Sequence, residues 1–131
     1  MEFTIHTEKA EQFIDITSLI QKAVTESGLD AGCVVVFVPH TTAGLTINEN
    51  ADPDVIHDLL MGLDRVFPHN LPYRHGEGNS HAHLKASTVG SSVTVLVEAG
   101  RLRLGTWQGI YLCEFDGPRR RQVWVSVIGK D

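Results

Sequence analysis

The chain has little of what commits a protein to a specialised class. It has only two cysteines, Cys33 and Cys113. They have no C-x-x-C spacing, which argues against a disulfide scaffold and a thiolate metal site within one chain. Each lies in an apolar run, "GCVVVFVP" or "IYLCEF", and reads as a small buried hydrophobe. No apolar stretch approaches the ~20 residues that a membrane-spanning helix needs. The opening "MEFTIHTEKAEQF" starts with an acid and lacks the basic start and apolar block of a signal peptide. A cytoplasmic protein with no membrane partner is expected. Basic residues are also few: 11 Lys and Arg against 16 Asp and Glu, a net charge of -5. The only basic concentration is Arg119 to Arg121, too little for a nucleic-acid-binding face. Repeats, linkers and low-complexity segments are absent.

What remains is an ordinary globular composition, 42% hydrophobic and 21% charged, which at this length fits one domain over residues 1–131. "FTIHT" and "QFIDIT" alternate and read as two strands of a hairpin around "EKAE". "SLIQKAVTESG" reads as a helix with a Ser18–Gln21 capping box, a buried face of Leu19, Ile20, Ala23 and Val24, and a stop at Gly28. "GCVVVFVP" is expected to be a central strand covered on both faces, and "GLTINEN" a short strand. Asp52 and Pro53 open a second helix with a stripe of Val55, Ile56, Leu59, Leu60 and Leu63. "HAHLKASTVG" fits a short third helix ended by Gly90. The last forty residues fit three or four strands turning at "EAGR" and "DGPR". Helices and strands do not alternate regularly, so the fold class is α+β: a mostly antiparallel sheet system with two main helices.

Polar chemistry gathers in three places. His40 stands at the exit of the apolar strand, followed by Thr41, Thr42 and Gly44, and a rigid strand end is a good place for a site residue. Downstream, Asn48, Glu49, Asn50 and Asp52 crowd a helix start, where a carboxylate also serves as a cap. "YRHGEGNSHAHLKAS" holds His75, His81 and His83. On a helix His81 and His83 project about 200° apart, so one ion cannot easily take both, and His83 is the better ligand candidate. His40, His75 and His83 could converge on a divalent ion with a position left open. His6, His57 and His69 read as surface or packing residues. A phosphate site is compatible with this reading. Its anion would meet the small-residue turns "HGEGN" and "TTAG", with Lys85, Arg101, Arg103 and Arg119 to Arg121 to neutralise charge. In the third place, "LGTWQGIYLCEFDGP", Trp107 and Gln108 lie between glycines, and Glu114 is either a buried acid or a surface strand residue.

The stretches "HTTAGLTINENADPDV", "YRHGEGNSHAHLKASTVGSSVTV" and "LGTWQGIYLCEFDGPR" together resemble the YjbQ-like family of secondary thiamine-phosphate synthases, over nearly the whole chain. The resemblance implies a β-sandwich-like α+β fold, a homotrimer and a metal-containing polar site near subunit boundaries. It matches His40, His75 and His83 to the family's histidines, leaves His81 outside the ligand set, and adds Glu49, Asp52, Asn79, Gln108 and Glu114 as site-lining residues. The implied reaction joins a pyrimidine diphosphate to a thiazole phosphate and releases pyrophosphate. A divalent metal, zinc first among those imidazoles suit, would neutralise the diphosphate together with Lys85 and Arg119. Trp107 and Gln108 would receive the pyrimidine. Thr41, Thr42, Asn48 and Asn79 would contact substrate. Glu49, Asp52 and Glu114 are the candidate acids, Glu49 for proton exchange with the pyrimidine amine. A metal-dependent hydrolase of a small phosphorylated metabolite and a non-catalytic ligand-binding module are the competing readings.

Overall fold

The computed structural model describes residues 1–129. Along the chain come β1 (Glu2–His6), β2 (Gln12–Asp15), α1 (Thr17–Ser27), β3 (Gly32–Phe37), β4 (Ala43–Glu49), α2 (Pro53–Val66), α3 (Ser80–Val89), β5 (Ser92–Glu98), β6 (Arg101–Leu102), β7 (Gln108–Glu114) and β8 (Arg120–Gly129). All strand pairs are antiparallel, in a five-stranded sheet ordered β1-β8-β3-β5-β6 and a three-stranded sheet ordered β2-β7-β4. The α+β class and the two main helices with a shorter third are as expected.

Alternation explains the layers. Val34, Val36 and Val38 share one face of the β3 run, beside Val95 and Val97 of β5 and Val123 and Val125 of β8. They pack against Leu45, Ile110 and Leu112 of the smaller sheet, and Ile20, Ala23 and Val24 of α1 join the same core. Each buried Val, Leu or Ile among them contributes about 1.5–3 kcal/mol by leaving water. The alternate β7 residues Tyr111 and Cys113, with Phe115 just beyond, form a second core with Ala82 and Ala86 of α3 and, half-buried, Ile56 and Leu63 of α2.

Four expectations change. The strand covered on both faces is β7, not β3. Only one face of β3 is buried, and the outer face of its sheet exposes Phe37, Leu96, Trp124 and Ile128. Cys33 accordingly is only half-buried, while Cys113 is fully buried. β1 and β2 do not form a hairpin: β1 pairs with β8 and β2 with β7, so the turn between them carries the chain from one sheet to the other. Thr7 fixes that departure, its N–H donating to the Arg119 carbonyl at 2.8 Å and its hydroxyl to Glu114 at 2.8 Å. The start of α1 is held by Asp15, which accepts from the Thr17 N–H at 2.9 Å, and not by a Ser18–Gln21 box. Gln21 instead grips the β5–β6 turn, donating to the Gly100 carbonyl and accepting from the Leu102 N–H. The left-handed Gly28 ends α1, and Asp52 caps α2 by accepting from the Asp54 N–H at 2.9 Å, both as expected. The α2 stripe is half-buried along its length, with no residue fully enclosed.

Candidate functional site

β3 delivers His40. The Val38 N–H donates to the Ser91 carbonyl, and the chain leaves the sheet at Pro39 with His40 next. The His40 Nε2 accepts from the Gln122 N–H of β8 at 2.9 Å. That contact orients the ring and leaves the proton of the neutral imidazole on Nδ1. Burial, and then the positive charges of Arg121 and Arg119, hold its pKa below the usual 6.5. The ring is therefore neutral at pH 7.

Beneath it lies a buried ion pair. Arg121 donates from Nε to Glu114 Oε1 at 2.8 Å, from its terminal nitrogen to Glu114 Oε2, and to the Thr42 hydroxyl at 2.9 Å. Glu114 also accepts from the Thr7 hydroxyl at 2.8 Å and the Asp116 N–H at 3.1 Å. Burial pushes the Glu114 carboxyl up, but Arg121, the Asp116 N–H and Thr7 outweigh it and hold it below the ordinary range. With both oxygens occupied and no exposed surface, Glu114 has no free oxygen for a ligand. The acid expected to act in catalysis is instead a carboxylate whose hydrogen bonds all stay inside the chain. Thr42 is likewise enclosed with Arg121.

A cavity of about 320 Å³ opens between the end of β3 and α3, lined by His40, Thr41, His83, Ser87 and Ser91 among others. His83 and Ser87 are one helical turn apart and share this face of α3. The His75 ring stands edge-on to His83, with centroids 5.5 Å apart and planes at 89°. The cavity thus joins His40 to His83, and His75 touches His83. Their ligand atoms do not close to within 4.8 Å as a set of three. Among the described residues, the set that does is Glu11, His69 and His81. His69 is exposed and stacks on His81, and His81, which does not line the His40–His83 cavity, belongs to this other group.

Other expected contacts lie elsewhere. Lys85 is fully buried, with Nζ 2.5 Å from Glu11 and 3.1 Å from Asp64. Its charge is neutralised inside the chain and not offered to the cavity. The bond from Lys85 is the main reason that Asp64 stays below the usual carboxylate range. Asn79 is buried at the N-cap of α3, yet its side chain makes no cap bond. It donates to Asp116 Oδ2 at 2.8 Å, and Arg119 donates to the same oxygen at 2.7 Å. The exposed guanidinium of Arg119 is therefore partly spent on Asp116.

The remaining residues collect at the other end of β4. Ala43 pairs with Glu114 and Glu49 with Gln108, so the two ends are about 20 Å apart at the usual rise. There Asn48 accepts from the Glu49 N–H, the Tyr111 hydroxyl donates to the Glu49 carbonyl at 2.9 Å, and Gln108 accepts from the Gly105 N–H at 2.8 Å. Burial first, then Asp15 and Glu49, push the Tyr111 hydroxyl pKa up. Trp107 is 62% exposed. Asn50 and Asp52 line a second cavity of about 360 Å³ with Phe13, Ile56 and Tyr111. A still larger trough, about 620 Å³, runs along α1 beside Gln21 and Leu104 and contains no histidine or cysteine. The residues that the resemblance gathers into one site thus fall in two clusters within one chain. Sequence reasoning misses Ser87, Ser91 and the structural role of Arg121. Two signals point to them: Ser87 is one turn from His83, and Arg121 shares the inward alternation of Val123 and Val125.

A family model described as UPF0047 protein YjbQ-like matches residues 1–130. The chain is 54% identical over 127 residues to the UPF0047 protein YugU of Bacillus subtilis, covering 95% of this chain and 96% of that one. It is 52% identical over 128 residues to the UPF0047 protein MJ1081 of Methanocaldococcus jannaschii, covering 98% and 93%. Among solved structures, a Clostridium acetobutylicum protein of the yjbq/upf0047 family, described as uncharacterized, superposes with a TM-score of 0.96 at 61% identity, covering 98% and 99%. The conserved hypothetical protein TT1486 of Thermus thermophilus gives 0.91 at 47%, with the same coverage. With the fold and the sequence matched from end to end, the chain belongs to the YjbQ-like UPF0047 family.

Proposed function

We propose that the cavity between the end of β3 and α3 is the catalytic centre of a transferase acting on a small phosphorylated substrate, in the thiamine-phosphate-forming condensation that the sequence resemblance implies. One observation carries this reading: His40 and His83 line one cavity, with the ring of His75 against His83. Imidazoles are suitable donors for a divalent cation such as zinc. His75 and His83, whose rings meet edge to face, would hold the cation. The fit is incomplete for His40, whose Nε2 lone pair is engaged by the Gln122 N–H. When bound, such a cation supplies charge neutralisation for a diphosphate.

The chain's own residues do the rest. Thr41, Ser87 and Ser91 offer hydroxyls to phosphate oxygens, and the His40 Nδ1–H serves as donor to the departing diphosphate oxygen. In the condensation, the methylene–oxygen bond of the pyrimidine diphosphate breaks. The thiazole nitrogen forms the new carbon–nitrogen bond with its own electron pair, and pyrophosphate leaves. The Trp107, Gln108 and Glu49 cluster suits the flat pyrimidine and its amine, but lies at the far end of β4. In the homotrimer that we propose with this function, a neighbouring copy supplies that cluster. The exposed Phe37, Leu96, Trp124 and Ile128 on the outer sheet face support such assembly.

A second reading, hydrolysis of a phosphate ester, is favoured by size. A cavity of about 320 Å³ lies at the small end of ligand sites, roughly 300–1,000 Å³, and suits one ligand. Both readings are tested by assaying purified protein with the two condensation substrates and with a panel of phosphate esters. His83→Ala should lower the relevant turnover by about 100-fold or more. Undiminished condensation by His83→Ala would refute the transferase reading, and turnover confined to esters would replace it with the second.

A further inference from the structure

We infer that Glu11, His69 and His81 form a binding site for a divalent transition-metal cation, separate from the His40–His83 cavity. Three segments far apart in sequence build it: the turn before β2 brings Glu11, the loop after α2 brings His69, and the first turn of α3 brings His81. One ligand atom from each lies within 4.8 Å of the other two. The imidazoles of His69 and His81 are stacked, with centroids 3.5 Å apart and planes inclined by 29°.

A second observation is independent of that convergence. The His81 side chain is only 5% exposed, and its Nδ1 is buried without a hydrogen-bond partner. A desolvated nitrogen in that condition is costly and is rare unless something outside the chain satisfies it. Two imidazoles and one carboxylate are a donor set that zinc and its neighbours favour. The exposure of His69 leaves the site open to water on one side.

Local charge permits the ion. Lys85 Nζ occupies Oε1 of Glu11 and also bonds Asp64. Two carboxylates and one ammonium leave a net charge of about -1 around the stacked rings, and the ammonium holds the Glu11 carboxylate in place. His81 and Lys85, four residues apart, share one face of α3, while His83 and Ser87 share another. The helix therefore presents imidazoles on two sides, to two different sites.

The test uses the intact, chelator-stripped protein titrated with Zn²⁺ by calorimetry and with Co²⁺ by visible absorption. Wild type should bind a cation at this site. His69→Ala, whose side chain is exposed and whose loss spares the fold, should lose that equivalent or bind it on the order of 100-fold more weakly. Glu11→Gln should weaken it as well, while His83→Ala should retain it. Thermal melting gives a second readout: a hundredfold excess of Zn²⁺ over Kd for this site should raise Tm by roughly 10 °C more in wild type than in His69→Ala. The inference is overturned if wild type binds no cation, or if His69→Ala binds with wild-type stoichiometry and affinity. Loss of all binding in His83→Ala with full binding in His69→Ala would also overturn it, and would assign the cation to the cavity.

Discussion

Replacing Glu114 by Gln tests whether the buried Arg121–Glu114 pair positions the site or takes part in chemistry. Glu114 accepts four hydrogen bonds, two from Arg121, one from Thr7 and one from the Asp116 N–H. A glutamine keeps one acceptor oxygen and turns its amide NH2 toward other donors. It also leaves the Arg121 guanidinium, 4% exposed, without a counter-charge. Removing one partner of a buried pair costs about 3–5 kcal/mol, much of it the penalty on the charge left behind. With a urea m-value of about 2 kcal/mol/M, the unfolding midpoint should fall by roughly 1.5–2.5 M at unchanged m. The double replacement Glu114→Gln with Arg121→Met leaves no unpaired charge and should recover part of that loss. A single-variant cost below about 1 kcal/mol, or a double variant as costly as the sum of the two singles, would refute the account.

The remaining local predictions follow from the same geometry. Because the Glu114 pKa is lowered by folding from the ordinary 4.5, its contribution to stability should be fully present above about pH 4.5 and lost as the pH falls through the lower folded value. Urea midpoints measured from pH 6 downward should show that loss in wild type and a flatter profile in Glu114→Gln. Gly44→Ala would place a Cβ 2.5 Å from the Gly90 carbonyl oxygen and 3.2 Å from Val89 Cγ1. The contact between β4 and the end of α3 must then shift, for a cost of about 1–3 kcal/mol in denaturant unfolding. Asp52→Ala removes the cap on the Asp54 N–H and should cost about 1 kcal/mol. An unchanged unfolding midpoint would show that the cap contributes nothing.

The layers are legible in the sequence wherever one face of an element is clearly apolar. α1 shows its stripe and its glycine stop, and α2 its Asp52 cap, because those signals lie within a few residues of each other. β7 and β3 exchange roles as the doubly covered strand because a continuous apolar run does not say which face a neighbouring layer will cover. "GCVVVFVP" keeps an apolar outer face that this chain leaves open, while the mixed "QGIYLCE" lies between two layers. The β1–β2 hairpin fails for a related reason: two alternating strands close in sequence suggest each other, and only the tertiary pairing of Phe3 with Val123 and Phe13 with Cys113 separates them. His40 and His83 can be placed together because a strand exit and a helix face are rigid. Lys85 cannot: its burial depends on Glu11 and Asp64, 74 and 21 residues away. The geometric argument that sets His81 aside concerns sharing an ion with His83, and does not bear on what its own face of the helix meets.

The separation along β4 bears directly on the condensation that we propose. A transfer between two bound substrates gains most of its rate from holding reacting atoms about 3–3.5 Å apart, which clusters about 20 Å apart cannot do. Either one end is sufficient, or the His40 end of one copy works with the Trp107 end of another. Mixing two inactive variants decides between these. In a cyclic trimer each shared site takes one end from each of two neighbours. His40→Ala and Trp107→Ala chains, unfolded together and reassembled at equal concentration, would then give intact sites in about a quarter of positions. Activity should return to about that fraction of wild type, while each variant alone stays inactive. If both variants alone are inactive and the mixture stays so too, after co-assembly is verified by mass, both ends are needed in one chain. The cross-copy arrangement is then wrong, and the chain must bring its two clusters together by a rearrangement of β4 and β7.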